Sequence, residues 1–323
     1  MKKTFFYKQS FRFLGIGILV ASMIWLGIVV QGCSSDFDSD VKIESLDIPE
    51  EYNEVGVLHN EGLEYIFAEI RAEGIEYAKN PRLKNRPFME NKDEFIKQAT
   101  LDFCNQHEKI REHSNIFTHA LKDTPSLKSS GVDNFSPAVQ QMLDEMTSVL
   151  KQEFKKNELP QLKARLEAIN QKATTTLTES DAAIIYCATS TGYSSYHYWM
   201  NNYKKWYFAL NYPEILEQYN NEELNQLQLK NSTIRTKGWL NDIWNTVEDW
   251  WNSASNAITD WWNNGGREVV AADAGGAAAG AMSGTVVAVS TATVGWGAIP
   301  AGAVAGGVYE SADQIITIWI LEE

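Results

Sequence analysis

The sequence predicts an all-α protein: a helical bundle, then a tryptophan-rich amphipathic helix, then a C-terminal helical hairpin rich in Gly and Ala. Apolar residues recur at helical spacing through most of residues 51–210. Tryptophans recur at intervals of eleven residues between positions 239 and 262, and small residues recur at every fourth position in the C-terminal segment. The sequence contains no convincing series of strands with alternating apolar and polar residues.

Composition agrees with a folded protein and excludes several classes. Of the 323 residues, 44% are apolar and 22% are charged, which excludes wholesale disorder. The net charge of -14 argues against a nucleic acid as partner, because an acidic surface repels phosphates. Three cysteines are too few for a disulfide-based scaffold.

Residues 1–32 are predicted to be a targeting segment rather than part of the fold. Four basic residues precede an apolar run, Phe13–Val30, whose length is close to that of a membrane-spanning helix. A retained N-terminal anchor is therefore one interpretation. The other rests on the end of the run, Val30–Cys33 (VQGC), which resembles the lipobox of bacterial lipoproteins. That resemblance implies a signal peptide that is removed and a lipid attached to Cys33.

Residues 33–50 are predicted to be an acidic tether. The stretch 34–40 (SSDFDSD), directly after Cys33, resembles the surface-export signal of Bacteroidota lipoproteins. The resemblance implies a lipid-anchored protein of the outer membrane that faces outward. An ordinary solvated linker is the alternative, and it would leave the protein facing the periplasm. In either case the partner reached through Cys33 is a lipid bilayer.

Residues 51–210 are predicted to be a helical bundle domain. The first helix has an apolar face and is expected to end near Gly74 and Pro81. The second is expected over residues 92–113, and residues 122–136 have the composition of a loop. The apolar residues of these two helices are Val55, Leu58, Ile66, Phe67, Ile70, Phe95, Ile96, Ala99 and Phe103.

A clear helix start follows the predicted loop. Ser136 is a capping residue, and Pro137 occupies the first helical position, where proline is tolerated best. An apolar stripe then runs from Val139 to Phe154, and a further helix is predicted after Pro160.

The last helix of the bundle domain has a start signal of its own. Thr178 and Asp181 have the spacing of a capping box. They are expected to open a long helix that reaches about residue 210 and carries nine aromatic side chains.

Candidate catalytic and metal-binding patterns fail on spacing. His107 and His113 are six residues apart, whereas a zinc-protease helix needs two histidines four apart on one face. Residues 192–196 (GYSSY) are similar to a nucleophile elbow, but Tyr196 replaces the closing glycine. We therefore predict no enzyme, no metal site and no cofactor. An unrecognised hydrolase that uses the region 107–119 is the alternative.

Two cysteines lie within the bundle domain. Cys104 and Cys187 have apolar helical surroundings, which predicts buried and unreactive thiols. An exported location would also permit a disulfide between them.

Residues 211–265 are predicted to be a linker and a tryptophan-rich amphipathic helix. An interval of eleven residues is close to three helical turns, so tryptophans at this spacing lie nearly in line. Such a stripe is typical of a helix at a lipid–water boundary. Alternatively the rings cap the bundle core, because this helix is acidic whereas interfacial helices usually carry Lys and Arg. The candidate membrane-interface residues are Trp239, Trp250, Trp251, Trp261 and Trp262.

Residues 266–323 are predicted to form a glycine-zipper hairpin. The 36 residues 274–309 carry no charge and include 9 Gly and 11 Ala. Helices whose facing rows lack bulk can bring their backbones close together, which predicts two packed arms over residues 267–294 and 301–320. The glycines predicted to form the contact are Gly276, Gly280, Gly284, Gly302 and Gly306.

The hairpin leaves two functional hypotheses open. In the preferred one the chain is a non-enzymatic, lipid-anchored cell-surface protein with a binding or contact role, and the hairpin is its packing core or that of a homo-oligomer. In the other, the hairpin resembles in composition the hydrophobic hairpin of channel-forming colicins. That resemblance implies a membrane-active protein of interbacterial competition, which would act on a second membrane. Each arm has about the twenty residues needed to span a bilayer, but Ala and Gly are only weakly hydrophobic.

Overall fold

Seven α-helices and no strands make up the described part of the computed structural model, which confirms the predicted all-α bundle. The structure describes residues 44–83, 87–113, 116, 135–217, 219–221, 224, 262, 266–291 and 297–321. The helices are α1 (Glu50–Lys79), α2 (Lys92–Gln106), α3 (Pro137–Leu150), α4 (Leu159–Thr176), α5 (Glu179–Asn211), α6 (Arg267–Thr291) and α7 (Ala298–Leu321). The described residues from Ser45 onward belong to one compact unit.

Several predicted features lie outside the described residues. They are the targeting segment 1–32, the lipidation site Cys33, the surface-export stretch 34–40 and the tryptophans Trp239, Trp250, Trp251 and Trp261.

The ends of the first two helices differ from the prediction. Helix α1 continues past Gly74 to Lys79, because Gly74 is buried in a packing contact rather than at a helix end. A Cβ atom there would lie 2.6 Å from the side chain of Leu216, so glycine makes room for a neighbour. Helix α2 ends at Gln106 instead of residue 113, and the chain continues into a short 3-10 turn, Arg111–His113.

The two predicted helix starts are confirmed. At the beginning of α3, Ser136 Oγ accepts the backbone N–H of Val139 at 3.3 Å. At the beginning of α5, Thr178 Oγ1 accepts the backbone N–H of Asp181 at 3.2 Å. Each hydroxyl satisfies an N–H group that has no partner within its own helix.

Helix α5 is the central helix of the bundle. It packs against α1, α4 and α6, and most of its length is buried. The aromatic side chains predicted from the sequence fill this core: the largest fully buried rings of α5 are Tyr196, Tyr198, Trp199 and Trp206. Burial on nearly every side explains why this helix has little polar surface.

The two hairpin arms are α6 and α7. They run antiparallel, since Gly276 lies opposite Gly306 and Gly284 lies opposite Ala298. Helix α7 begins at Ala298 and holds Pro300 in its first turn, where the missing N–H of proline is not needed. Helix α6 also packs against α3 and α5, and α7 packs against α1, α2 and α5. The hairpin is thus packed into the bundle.

None of the described helices is long and apolar enough to cross a membrane.

Candidate functional site

The hairpin arms meet backbone against backbone at the small residues singled out by the sequence. Gly276, Gly280 and Gly284 of α6 face the row of small residues on α7. A Cβ atom on Gly280 would overlap the carbonyl oxygen of Gly302, and one on Gly276 would lie 2.6 Å from that of Gly306. A side chain at these positions would force the arms apart.

Of the five candidate interface tryptophans, the described residues include Trp262. Its ring stacks on that of Tyr203 with centroids 5.9 Å apart and makes a T-shaped contact with Tyr196, with centroids 5.6 Å apart. Both tyrosines belong to α5. These contacts favour, at this position, the interpretation in which tryptophans cap the bundle core.

The two described histidines of the predicted hydrolase alternative have different neighbours. His107 Nε2 lies 3.4 Å from the carboxylate of Glu61, and the ring of His113 packs closely against Gly297. Within the described ranges, no group of three or more His, Cys, Asp or Glu could hold a metal ion. His119 lies outside the described residues.

Both described cysteines are free. Cys104 and Cys187 are buried, and no disulfide joins them. Burial raises the pKa of each thiol well above its ordinary value, which keeps the sulfur protonated and poorly nucleophilic.

Sequence reasoning missed a polar cluster inside the bundle, where α6 meets the other helices. We call it the Asp273 cluster. Ser195 Oγ and Trp199 Nε1 of α5 both donate hydrogen bonds to Asp273 Oδ2, the latter at 3.0 Å. His59 Nε2 of α1 lies 3.9 Å from the same oxygen. Ser311 of α7, also buried, is the fifth member.

Burial controls the protonation of this cluster. The side chains of His59 and Asp273 have no solvent-exposed area. Burial raises the pKa of Asp273 to about 7, while the hydrogen bonds from Ser195 and Trp199 and the nearby hydroxyl of Ser311 lower it. Burial lowers the pKa of His59 to about 4. His59 is therefore uncharged near neutral pH, and Asp273 becomes uncharged as the pH falls below about 7.

Ser195, His59 and Asp273 are the residue types of a hydrolase triad, but their order is wrong for catalysis. In a triad the histidine lies between the serine and the acid, so that it can take the serine proton. Here Asp273 lies in the middle, and Ser195 donates to the carboxylate instead of to His59. All three residues are fully buried. The geometry is that of a structural contact between helices.

A local signal for Asp273 existed in the sequence, but it was not sufficient. Asp273 is the last charged residue of α6 before the uncharged stretch 274–309. An acidic residue next to so long an uncharged stretch is expected to be buried, and a buried acid needs polar partners. Its partners, however, come from helices that begin far away in the chain, and periodicity does not reveal which helices meet.

A second buried polar group is Lys205 on α5, which is 3% exposed. Its Nζ contacts the carboxylate of Glu64 on α1. The same ammonium lies 4.8 Å from the ring centre of Phe67 and 5.5 Å from that of Tyr198. The Tyr198 hydroxyl in turn accepts a hydrogen bond from Trp206 Nε1 at 2.8 Å. A charge pair flanked by rings thus joins α1 to α5.

On the surface, a cleft of about 490 Å³ lies between α1, α2 and the segment that joins them. Its lining includes the rings of Tyr77, Phe88 and Phe95. The carboxylates that line it are Glu69, Glu73, Glu90, Glu94 and Asp102. Burial, and then the negative charge of Asp102, raise the pKa of Glu69. Carboxylates and aromatic faces together suit a positively charged group.

No family model, curated protein or solved structure matches this chain.

Proposed function

We propose that this chain is a non-enzymatic, lipid-anchored protein of the cell surface whose helical body has a binding or contact role. The observation that carries the non-enzymatic part of the proposal is the arrangement of the Asp273 cluster. Its Ser, His and Asp join the hairpin to the bundle and are sealed from solvent. A hydrolase would need the serine bonded to the histidine and open to a substrate.

The proposed cellular location rests on the N-terminal sequence pattern. The lipobox-like Val30–Cys33 and the acidic stretch 34–40 support an outer-membrane lipoprotein that faces outward. Removal of residues 1–32 would leave 24 basic and 42 acidic residues. So acidic a chain is repelled by an anionic membrane surface, and a lipid on Cys33 would hold it there instead.

The contact role is supported by the cleft between α1 and α2. Its convergent carboxylates and rings suit a partner that carries basic groups. Rim charges of this kind mainly speed association and favour partners of the opposite charge.

Replacement of the lipidation site tests the anchor. Cys33→Ala is expected to move the protein from the membrane fraction to the soluble fraction of lysed cells. Cys104→Ala is the matched control, because that buried thiol lies inside the bundle and its loss leaves the anchor intact. Immunoblotting of the two fractions gives the distribution. Continued membrane retention of Cys33→Ala would instead support an uncleaved N-terminal helix. Protease treatment of intact cells then tests whether the anchored protein faces outward.

A membrane-active role is the second candidate, and one observation favours it. No charged residue occurs between Asp273 and Glu310, so the ends of α6 and α7 that meet at the glycines would bring no charge into a bilayer. Release of dye from liposomes separates the two functions. The mature full-length chain at micromolar concentration is expected to leave liposomes of anionic lipid intact. Dye release that is lost in a hairpin variant would favour the second candidate over the first.

A further inference from the structure

His59 and Asp273 face each other across the junction between α1 and the hairpin arm α6. Their nearest atoms, Nε2 and Oδ2, are 3.9 Å apart, and both side chains are fully buried. Among the described residues, neither His59 Nε2 nor Asp273 Oδ1 has a hydrogen-bond partner. A buried imidazolium–carboxylate pair recovers its desolvation cost only when good hydrogen-bond geometry joins the two groups. A separation of 3.9 Å is too long for a hydrogen bond, so the uncharged forms are favoured here.

Asn60 determines which nitrogen of His59 faces the carboxyl group as an acceptor. The Asn60 amide Nδ2 donates to the carbonyl oxygen of Ser194 at 3.1 Å. Its Oδ1 is therefore the atom that lies 3.1 Å from His59 Nδ1, and Nδ1 must carry the hydrogen of that bond. The lone pair of neutral His59 is thus on Nε2, and it faces Asp273.

The surroundings decide where the additional proton resides. Burial disfavours both charged forms, which raises the pKa of Asp273 to about 7 and lowers that of His59 to about 4. Glu310 of α7 raises the pKa of Asp273 further, and Tyr198 of α5 lies within electrostatic range of the carboxyl group. The hydrogen bonds of Ser195 and Trp199 and the hydroxyl of Ser311 lower the pKa of Asp273, while Asn60 and the Gly307 backbone raise that of His59. The burial effect exceeds the others in both cases.

We propose that folding moves a proton from His59 to Asp273, so that an uncharged pair locks the hairpin against α1 and α5. In the unfolded chain between about pH 4 and about pH 6.5, His59 is an imidazolium and Asp273 a carboxylate. In the folded chain His59 has lost the proton on Nε2 and the Asp273 carboxyl group has gained one. The number of bound protons is unchanged, and both charges disappear from the buried junction.

The effect on stability follows from the sign of each contribution. The folded state binds the Asp273 proton more tightly, so the contribution of Asp273 to stability rises as the pH falls from about 7 to about 4. The folded state binds the His59 proton less tightly, so the contribution of His59 falls as the pH falls from about 6.5 to about 4. In the wild-type chain the two contributions cancel, so the stability that this pair contributes does not change with pH between about 4 and about 6.5.

Two single variants separate the contributions. The unfolding constant of Asp273→Asn, divided by that of the wild type, is expected to rise about tenfold for each pH unit lowered between about pH 6.5 and about pH 4. The ratio for His59→Gln is expected to fall by the same factor over the same window. The ratio for the double variant is expected to stay constant over this pH range. Urea unfolding of the mature full-length chain, followed by circular dichroism, gives each constant, and the division removes the titration of all other groups.

A direct measurement on the wild type keeps the inference testable if a variant fails to fold. Spectra of the folded chain with ¹⁵N-labelled histidine are expected to show His59 neutral, with hydrogen on Nδ1, from about pH 7 down to about pH 4.5. An imidazolium signal for His59 at about pH 6 would overturn the proposal. The proposal would also be overturned if the unfolding-constant ratios of the two single variants changed in the same direction with pH, or did not change with pH.

Discussion

Gly280→Ala is expected to destabilise the protein by about 3 kcal/mol or more, whereas Gly275→Ala in the same helix is expected to stabilise it slightly. The added atom at Gly280 would overlap the carbonyl oxygen of Gly302 and lie 3.2 Å from the nitrogen of Ala303. Both of these are backbone atoms, which cannot rotate away as a flexible side chain can. The two arms would have to separate and lose contacts along their length.

Gly275 is the matched control because it lies five residues before Gly280, on the exposed side of α6. No atom lies within 4 Å of a Cβ built there. Alanine in this open position gains helix propensity of about 0.5–1 kcal/mol over glycine. Urea unfolding followed by circular dichroism measures both changes. Gly280→Leu should be worse than Gly280→Ala, since the larger side chain needs more separation. A wild-type midpoint for Gly280→Ala would show that the arms are not in backbone contact.

The hairpin could be predicted from the sequence because its signal is local and periodic. Small residues at every fourth position lie on one face of a helix, and two such rows in neighbouring helices need only a turn to meet. The same reasoning placed the helix starts at Ser136 and Thr178 within one residue. Each cap depends on residues three apart in the chain.

Other features depend on contacts between distant segments, which the sequence does not reveal. Glycine is typical of helix ends, yet Gly74 lies inside α1, where it packs against Leu216. The cluster that joins the hairpin to the bundle requires α1, α5 and α6 to converge at His59, Ser195 and Asp273. Periodicity and residue type do not predict such a convergence, because even the unusual position of Asp273 does not indicate which helices supply its partners.

Lys205→Met is expected to destabilise the protein by about 2–3 kcal/mol. Methionine keeps the length and the apolar stem of lysine but removes the ammonium group that contacts Glu64. The carboxylate of Glu64 would then face the hydroxyl of Tyr198 and the surrounding rings without a cation. Loss of one partner of a fully buried ion pair costs more, about 3–5 kcal/mol. Glu64 is 32% exposed, so water compensates for part of the loss.

The neighbouring Lys204 gives the matched control. Its ammonium lies 5.6 Å from the ring centre of Tyr203, and burial lowers its pKa. Because burial already disfavours its charge, Lys204→Met is expected to change the free energy of unfolding by less than about 0.5 kcal/mol. Adding Glu64→Gln to Lys205→Met should restore part of the stability, since the amide removes the uncompensated charge. Urea unfolding of the wild type and of the three variants measures these changes in the free energy of unfolding. Equal losses of unfolding free energy for Lys205→Met and Lys204→Met would mean that the Lys205–Glu64 pair does not hold α1 to α5. The packing of these two helices would then depend on their apolar faces alone.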